Sequence, residues 1–235
     1  MYMRIFRFDE LDSTNTYAKR NCSLLTDRTV ICARRQTAGR GRLNRTWLSQ
    51  EGGLYFSVVL KPQKTDFLAN LTQLMALSVC KSIQALGVPA HLKWPNDVLV
   101  NDKKLCGILS EAVTVQNTFQ ALVLGVGINV RQKDLSHVGQ PAVSLAELSI
   151  NTEEEILLHQ ILDCFFASYE TVLLNGFSVI RTDYLKVFPY IGKQVEIRHG
   201  INPAHGTVQT ISPNGELVLQ TATGQAIISI GDMCL

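Results

Sequence analysis

A chain of 235 residues, 46% hydrophobic and 18% charged, has the apolar content for one full domain and a small second one, which excludes a disordered protein. Its net charge of +2 excludes a bulk electrostatic case for a polyanionic partner, so any anion chemistry has to be local. The N-terminus carries acids where a signal peptide needs its apolar segment, no run is read as membrane-spanning, and the six cysteines form no C-x-x-C pair; the expectation is a reduced, cytoplasmic protein with no membrane partner and no zinc or redox motif.

Arg4 to Phe8 is predicted as a strand, with Asp12 or Ser13 capping a helix from about Thr14 to Cys22. Thr29 to Arg34 reads as a β-branched strand, and Gln36 to Arg45, rich in glycine and arginine without apolar period, as a loop. Gly53 to Leu60 is a further strand, stopped by Lys61-Pro62. Apolar residues from Phe67 to Leu86 recur at helical spacing, and Gly87 closes that helix. Strands follow at His91 to Trp94, Val98 to Val100, Gly107 to Val113 and Ala121 to Ile128, with Asn101-Asp102 as a turn. A second long helix, Glu153 to Leu174, ends at Gly176, and a short third one ends near Pro189. From Gly192 the pieces QVEIRH, GTVQTIS, GELVLQT and QAIISIG alternate as short strands between turns, the pattern of a small SH3-like β-barrel. The expected class is α+β: a mixed β-sheet packed with helices over residues 1–189, then a C-terminal barrel over 190–235.

The stretch Gly39-Arg40-Gly41-Arg42-Leu43-Asn44-Arg45-Thr46-Trp47 is the most informative. Its glycines let backbone approach a ligand, and its three arginines supply forked donors that match carboxylates and phosphates. Taken alone, it reads first as a solvated basic loop or an RG-type nucleic-acid segment, because the spacing is neither a Walker loop nor G-x-G-x-x-G. Its companions change that reading. They are Asp12-Ser13-Thr14-Asn15, Gln36, Lys93-Trp94-Pro95-Asn96-Asp97, the segment Lys104 to Glu111 (K-x-x-GIL-x-E), and Gly125-Val126-Gly127-Ile128-Asn129.

In this order, these segments resemble the biotin protein ligase family along essentially the whole chain. The resemblance implies a class II synthetase-like catalytic domain that uses ATP, biotin and Mg²⁺. It implies that Ser13, Thr14, Asn15 and Gln36 line the biotin pocket; for Ser13 and Asn15, helix capping is the other reading. It implies that Gly39, Arg40, Gly41 and Arg42 fold over the ligand, with Arg45 and Trp47 on the adenylate side, where Trp47 reads foremost as a core or lid anchor. Lys93 is expected at the ATP phosphates, and Lys104 at the biotin carboxylate and reacting phosphate. Asn96 falls on the nucleotide side. Asp97 orients a lysine, meets phosphate-bound Mg²⁺ or caps a turn. Gly107 and Gly125 pass close to ligand or mark bulges. Asn129 reads the adenine end or caps the loop Arg131 to Ala142. Arg40, Lys93 and Lys104 are the candidate catalytic residues; no metal ligands are assigned, and the five histidines, His91, His137, His159, His199 and His205, are expected to be structural or exposed.

The implied reaction makes biotinyl-5′-AMP and transfers biotin to a lysine of a biotin carboxyl carrier protein, such as an acetyl-CoA carboxylase subunit. Asn44 departs from the glycine most common at its position, and an arginine of the last strand in some members is absent. No DNA partner is expected, since there is no room ahead of the first strand for a winged helix; a homodimer is left open. The rivals are a lipoate ligase, which the KWPND and GRGR segments oppose, and a nucleic-acid-binding module, which the net charge opposes.

Overall fold

The computed structural model describes residues 3–133, 135, 138–198 and 203–234; His137, His199 and Leu235 at the end of the tail lie outside the described residues. Strand β1 (Ile5–Leu11) runs parallel to β2 (Thr29–Gln36), and helix α1 (Thr14–Arg20) makes the crossover between them. Ser13, extended, caps α1 by accepting from Thr16 N, whereas the Asp12 carboxylate accepts from Ser13 N at 2.7 Å. The chain continues through β3 (Gly53–Leu60), α2 (Leu68–Ala85), β4 (His91–Lys93), β5 (Asp97–Val100), β6 (Lys103–Val115) and β7 (Thr118–Asn129). These strands form one seven-stranded sheet in the order β1-β2-β3-β7-β6-β5-β4, antiparallel apart from β1 with β2.

Both faces of the sheet are covered, which explains why β3 is buried at all eight positions and shows no alternation. Leu122, Leu124, Val126 and Ile128 of β7 point into the main core with α2 and α3 (Glu154–Asn175). Ala121 and Val123 point the other way, onto Ala18 of α1. An 18-residue stretch of α3 has a mean hydropathy of 1.2, long and apolar enough to cross a membrane by composition, which corrects the expectation that no run has that length. Packing accounts for it: Leu157, Ile161, Phe165 and Val172 are wholly buried in the core beside α2.

Helix α4 (Ser178–Lys186) leads to a second, antiparallel sheet of β8 (Gln194–Arg198), β9 (Ala204–Ile211), β10 (Leu217–Thr221), β11 (Gly224–Ile228) and β12 (Asp232–Cys234), ordered β11-β10-β9-β8-β12. The class is α+β as expected. The turn before β10 anchors this sheet: Asn214 O accepts from Asn70 (2.9 Å), while Gly215 O accepts from Gln73 (2.6 Å) and Trp94 (3.0 Å). Buried polar groups paired in this way fix orientation, and the apolar core runs on through Val195, Val208 and Met233.

One surface tether can be tested by pH. Asp183 of α4 accepts from Lys186 (2.9 Å) and from Lys81 of α2 (2.7 Å), and those bonds hold its carboxyl down at about 2. A folded pKa below the unfolded value of 3.8 gives stability that is present above the latter and lost as pH falls through about 2. Asp183→Asn is expected to cost about 0.5 kcal/mol at pH 7, small because the group is solvent-screened, and only a small part of that at pH 2. Urea melts at the two pH values check the difference.

Candidate active site

The odd positions of β7 lead into the site. Beyond Ala121 and Val123, the next residues on the α1 face are Gly125 and Gly127, so the sheet is bare there. A methyl group at Gly125 would collide with the Asn15 side chain, and one at Gly127 would sit 2.5 Å from Trp47 Nε1. These two glycines are required by close approach of side chains laid over the strand. Gly107, paired with Gly127 across the β6–β7 ladder, extends the strip. Over it lies a cavity of about 80 Å³, bounded by residues 13–15, Gln36, the 40–47 loop and the strand starts near Asp97 and Lys104. That volume is below the ~300 Å³ of a small-molecule pocket, so a ligand of that size has to displace the loop.

One wall is a polar network. Gln36 Oε1 accepts from Thr14 N (2.8 Å), and its Nε2 donates to Ser49 Oγ (2.7 Å), which donates to Trp47 O (3.1 Å). Ser57, wholly buried on β3, lies 2.7 Å from Thr14 Oγ1 and donates to Asn15 Oδ1 at 2.6 Å. Asn15 Nδ2 donates to Leu109 O (3.2 Å) and to Glu111 (2.8 Å), which also takes Lys19. Burial opposes charge on Glu111, but the bonds from Lys19 and Asn15 and the charges of Lys19 and Arg40 keep its carboxyl below the ordinary value. Both readings of Ser13 and Asn15 are thus separated: Ser13 caps α1, while Asn15 is turned into the wall.

The 40–47 loop is the opposite wall, pinned at its base by Trp47 N to Gly39 O (2.9 Å) and Gly41 N to Arg45 O (2.7 Å). Leu43 and Asn44 both adopt left-handed backbone, with φ of 54° and 57°. Asparagine tolerates this better than other non-glycine residues. Leu43, in the left-handed turn, is 72% exposed. Charge therefore holds the loop tip. Arg40 donates to Thr16 Oγ1 (3.1 Å) and lies 3.8 Å from Glu111. Arg42 donates to Asn96 Oδ1 (3.0 Å) and Gly231 O (3.2 Å), and it shares Asp232 of β12 with Arg45, at 3.3 and 2.5 Å.

Lys104 Nζ lies 2.8 Å from Asp97 Oδ1, in ion-pair contact but off the hydrogen-bond direction, and 5.4 Å above the Trp47 ring. Of the roles open to Asp97, the structure brings it to that lysine. Trp47 Nε1 is buried without a partner, and the ring rests on the glycine strip. Lys93 lies outside the cavity, in an adjoining cleft of about 430 Å³ shared with Arg45, Asp97, Arg198 and Asp232. Asn129 is 4% exposed, and its Nδ2 is spent on the carbonyls of Lys104 (3.3 Å) and Val143 (3.2 Å), which ties the loop after β7 to β6. Among the described residues no His, Cys, Asp and Glu cluster could hold a metal ion by itself.

Sequence reasoning missed Ser57, Ser49, Lys19 and Asp232. Ser57 had a signal, a small polar side chain inside an otherwise apolar and aromatic strand; Asp232 had none, since only the second sheet's docking brings it to the arginines. Asp232→Asn is expected to raise tryptic cleavage after Arg42 and Arg45 about five- to tenfold, the equivalent of about 1–1.4 kcal/mol for two part-buried charge pairs. Equal digestion rates would show that the second sheet plays no part in closing the loop.

Residues 7–129 match the Biotin/lipoate A/B protein ligase family, and the chain belongs to that family. Within it, residues 190–235 match the Biotin protein ligase C terminal domain. The fold is similar to the biotin protein ligase from Aquifex aeolicus solved in complex with biotin and ATP, with a TM-score of 0.88 and 31% identity over 98% of this chain and 97% of that one. The biotin–[acetyl-CoA-carboxylase] ligase of Paracoccus denitrificans is 31% identical over 94% of this chain and 96% of its own length. The bifunctional ligase/repressor BirA of Bacillus spizizenii is 34% identical over 83% of this chain, but the match spans 62% of that relative's length.

Proposed function

We propose that the protein is a biotin protein ligase, which activates biotin as biotinyl-5′-AMP and transfers it to a lysine of a biotin carboxyl carrier protein. The carrying observation is the convergence of Lys104 and three loop arginines over a bare glycine strip that faces a satisfied polar wall. Each of these cations is parked on a carboxylate: Arg40 on Glu111, Arg42 and Arg45 on Asp232, Lys104 on Asp97. Such a constellation can exchange internal anions for those of a ligand, and it leaves no free basic arm of the kind a nucleic-acid module presents.

The residues divide the work as follows. Thr14, Asn15 and Gln36, with Ser13 at the cap, present directed donors and acceptors to the ureido ring. Lys104 takes the biotin carboxylate and the α-phosphate. A carboxylate oxygen attacks the α-phosphorus, the bond to the β-phosphate oxygen breaks, and pyrophosphate leaves toward the cleft of Lys93, Arg45 and Arg198. The carrier's lysine amine, losing a proton, then attacks the anhydride carbonyl, and AMP departs. Positioning and charge stabilisation suffice; no nucleophile is asked of the protein. Mg²⁺ carried in on the phosphates would neutralise their oxygens, and Asp97 and Asp232, the carboxylates that face that cleft, are the groups fit to meet it. Asn129 supports the wall through the Lys104 carbonyl. The two sheets are assigned as domains 1–189 and 190–235.

The test is transfer of radiolabelled biotin to a carrier domain with and without ATP, set beside pyrophosphate exchange driven by biotin, lipoate or octanoate. Exchange with lipoate or octanoate and none with biotin would replace this reading by the lipoate branch of the same family.

A further inference from the structure

Glu111 does not line the cavity, yet it touches three groups that do or that hold it. We infer that Glu111 is a positioning residue for biotin: its ionised carboxylate fixes which way the Asn15 amide faces, and through Ser57 it sets the donor and acceptor pattern of the ureido wall. The inference rests on the biotin reading of the site.

Hydrogen-bond direction links Glu111 to the wall. An ionised carboxylate only accepts, so the Asn15 nitrogen must face Glu111, and its second hydrogen is taken by Leu109 O. The amide oxygen is thereby turned to Ser57, whose single hydrogen goes to it. With that hydrogen spent on Asn15, the 2.7 Å contact between the Ser57 and Thr14 hydroxyls can be filled only by the Thr14 hydrogen, which favours it over the longer 3.2 Å contact of Thr14 Oγ1 with Gln36 Oε1. Thr14 and Gln36 meet the cavity with their remaining groups, so one charge behind the wall orders the groups in front of it. Buried networks with a single allowed direction discriminate strongly, because a ligand with the wrong pattern leaves groups unpaired. In Glu111→Gln, the one side-chain oxygen can serve Asn15 or Lys19 but not both, and its NH₂ then confronts the other donor. The wall loses its fixed direction and Arg40 loses the charge 3.8 Å away, while the Lys104–Asp97 pair and the Arg42 and Arg45 pairs with Asp232 stay as they were.

Glu111→Gln is expected to raise the KM for biotin about tenfold in pyrophosphate exchange, with kcat and the KM for ATP within about twofold. Lys19→Ala removes the other ligand of Glu111 but leaves the Asn15 bond, and is expected to change the biotin KM by less than about threefold. Thermal melts of both variants, expected within about 3 °C of wild type, exclude a folding defect as the cause. An unchanged biotin KM in Glu111→Gln, a parallel rise in the KM for ATP, or an equal effect of Lys19→Ala would overturn the proposal alone. Wild-type protein without biotin-driven exchange would overturn it together with the reading of the site.

Discussion

Replacing Lys104 by alanine is expected to lower biotin-driven ATP–pyrophosphate exchange by about 10²–10³-fold, the range for loss of one preorganised charge-stabilising donor. The proposed reaction brings a carboxylate against a phosphate, and two like charges at about 4 Å repel by roughly 4 kcal/mol at an effective dielectric near 20. Lys104 is suited to offset that repulsion because its side chain is 17% exposed, so salt and water screen it weakly. Stability suffers as well: Asp97, 18% exposed, would keep its charge without a partner, at a cost of about 1–3 kcal/mol. The double variant Lys104→Ala/Asp97→Asn separates the two effects. Its melting temperature is expected to return most of the way to wild type while exchange stays lost. Exchange within fivefold of wild type in the single variant would remove Lys104 from the reaction.

Much of this fold was legible because its elements carry local signals. The span of β3 was predicted to the residue from an apolar run closed by Lys61-Pro62, and α2 and α3 were placed by apolar spacing and a terminal glycine. Strand ends were less legible: β6 runs to Val115 and β7 starts at Thr118, where charged and polar residues alternate with apolar ones and the long hairpin continues beyond the core. Strand β12 went unread because three residues give no period. The site was legible wherever motif residues lie in the wall or the loop, from Ser13 to Asn15, at Gln36 and at Lys104. Pairings between distant segments were not. Nothing near Arg42 or Arg45 in sequence announces Asp232, and nothing in the β7 glycines announces that Trp47 and Asn15 are what they make room for.

Arg40→Ala is expected to release the adenylate about 10- to 10²-fold faster while moving the melting temperature by less than about 2 °C. The asymmetry follows from what Arg40 touches. Its side chain, 40% exposed, donates to Thr16 Oγ1 and lies beside Glu111, so the ligand-free fold loses little when it goes. In the proposed reading, the same guanidinium faces the anhydride and its phosphate from the loop that covers them. A hydrogen bond to a charged group contributes about 1.5–3 kcal/mol, which sets the factor quoted. The loop's other ties, Arg42 and Arg45 to Asp232, are untouched, so the loop still closes, but over an intermediate it no longer grips. A closed, water-poor cover protects a mixed anhydride only as long as the anhydride stays beneath it. Recovery of labelled intermediate in the ultrafiltrate after a single turnover measures the release, and equal recovery from wild type and Arg40→Ala would mean that retention belongs to the Asp232 pairs instead.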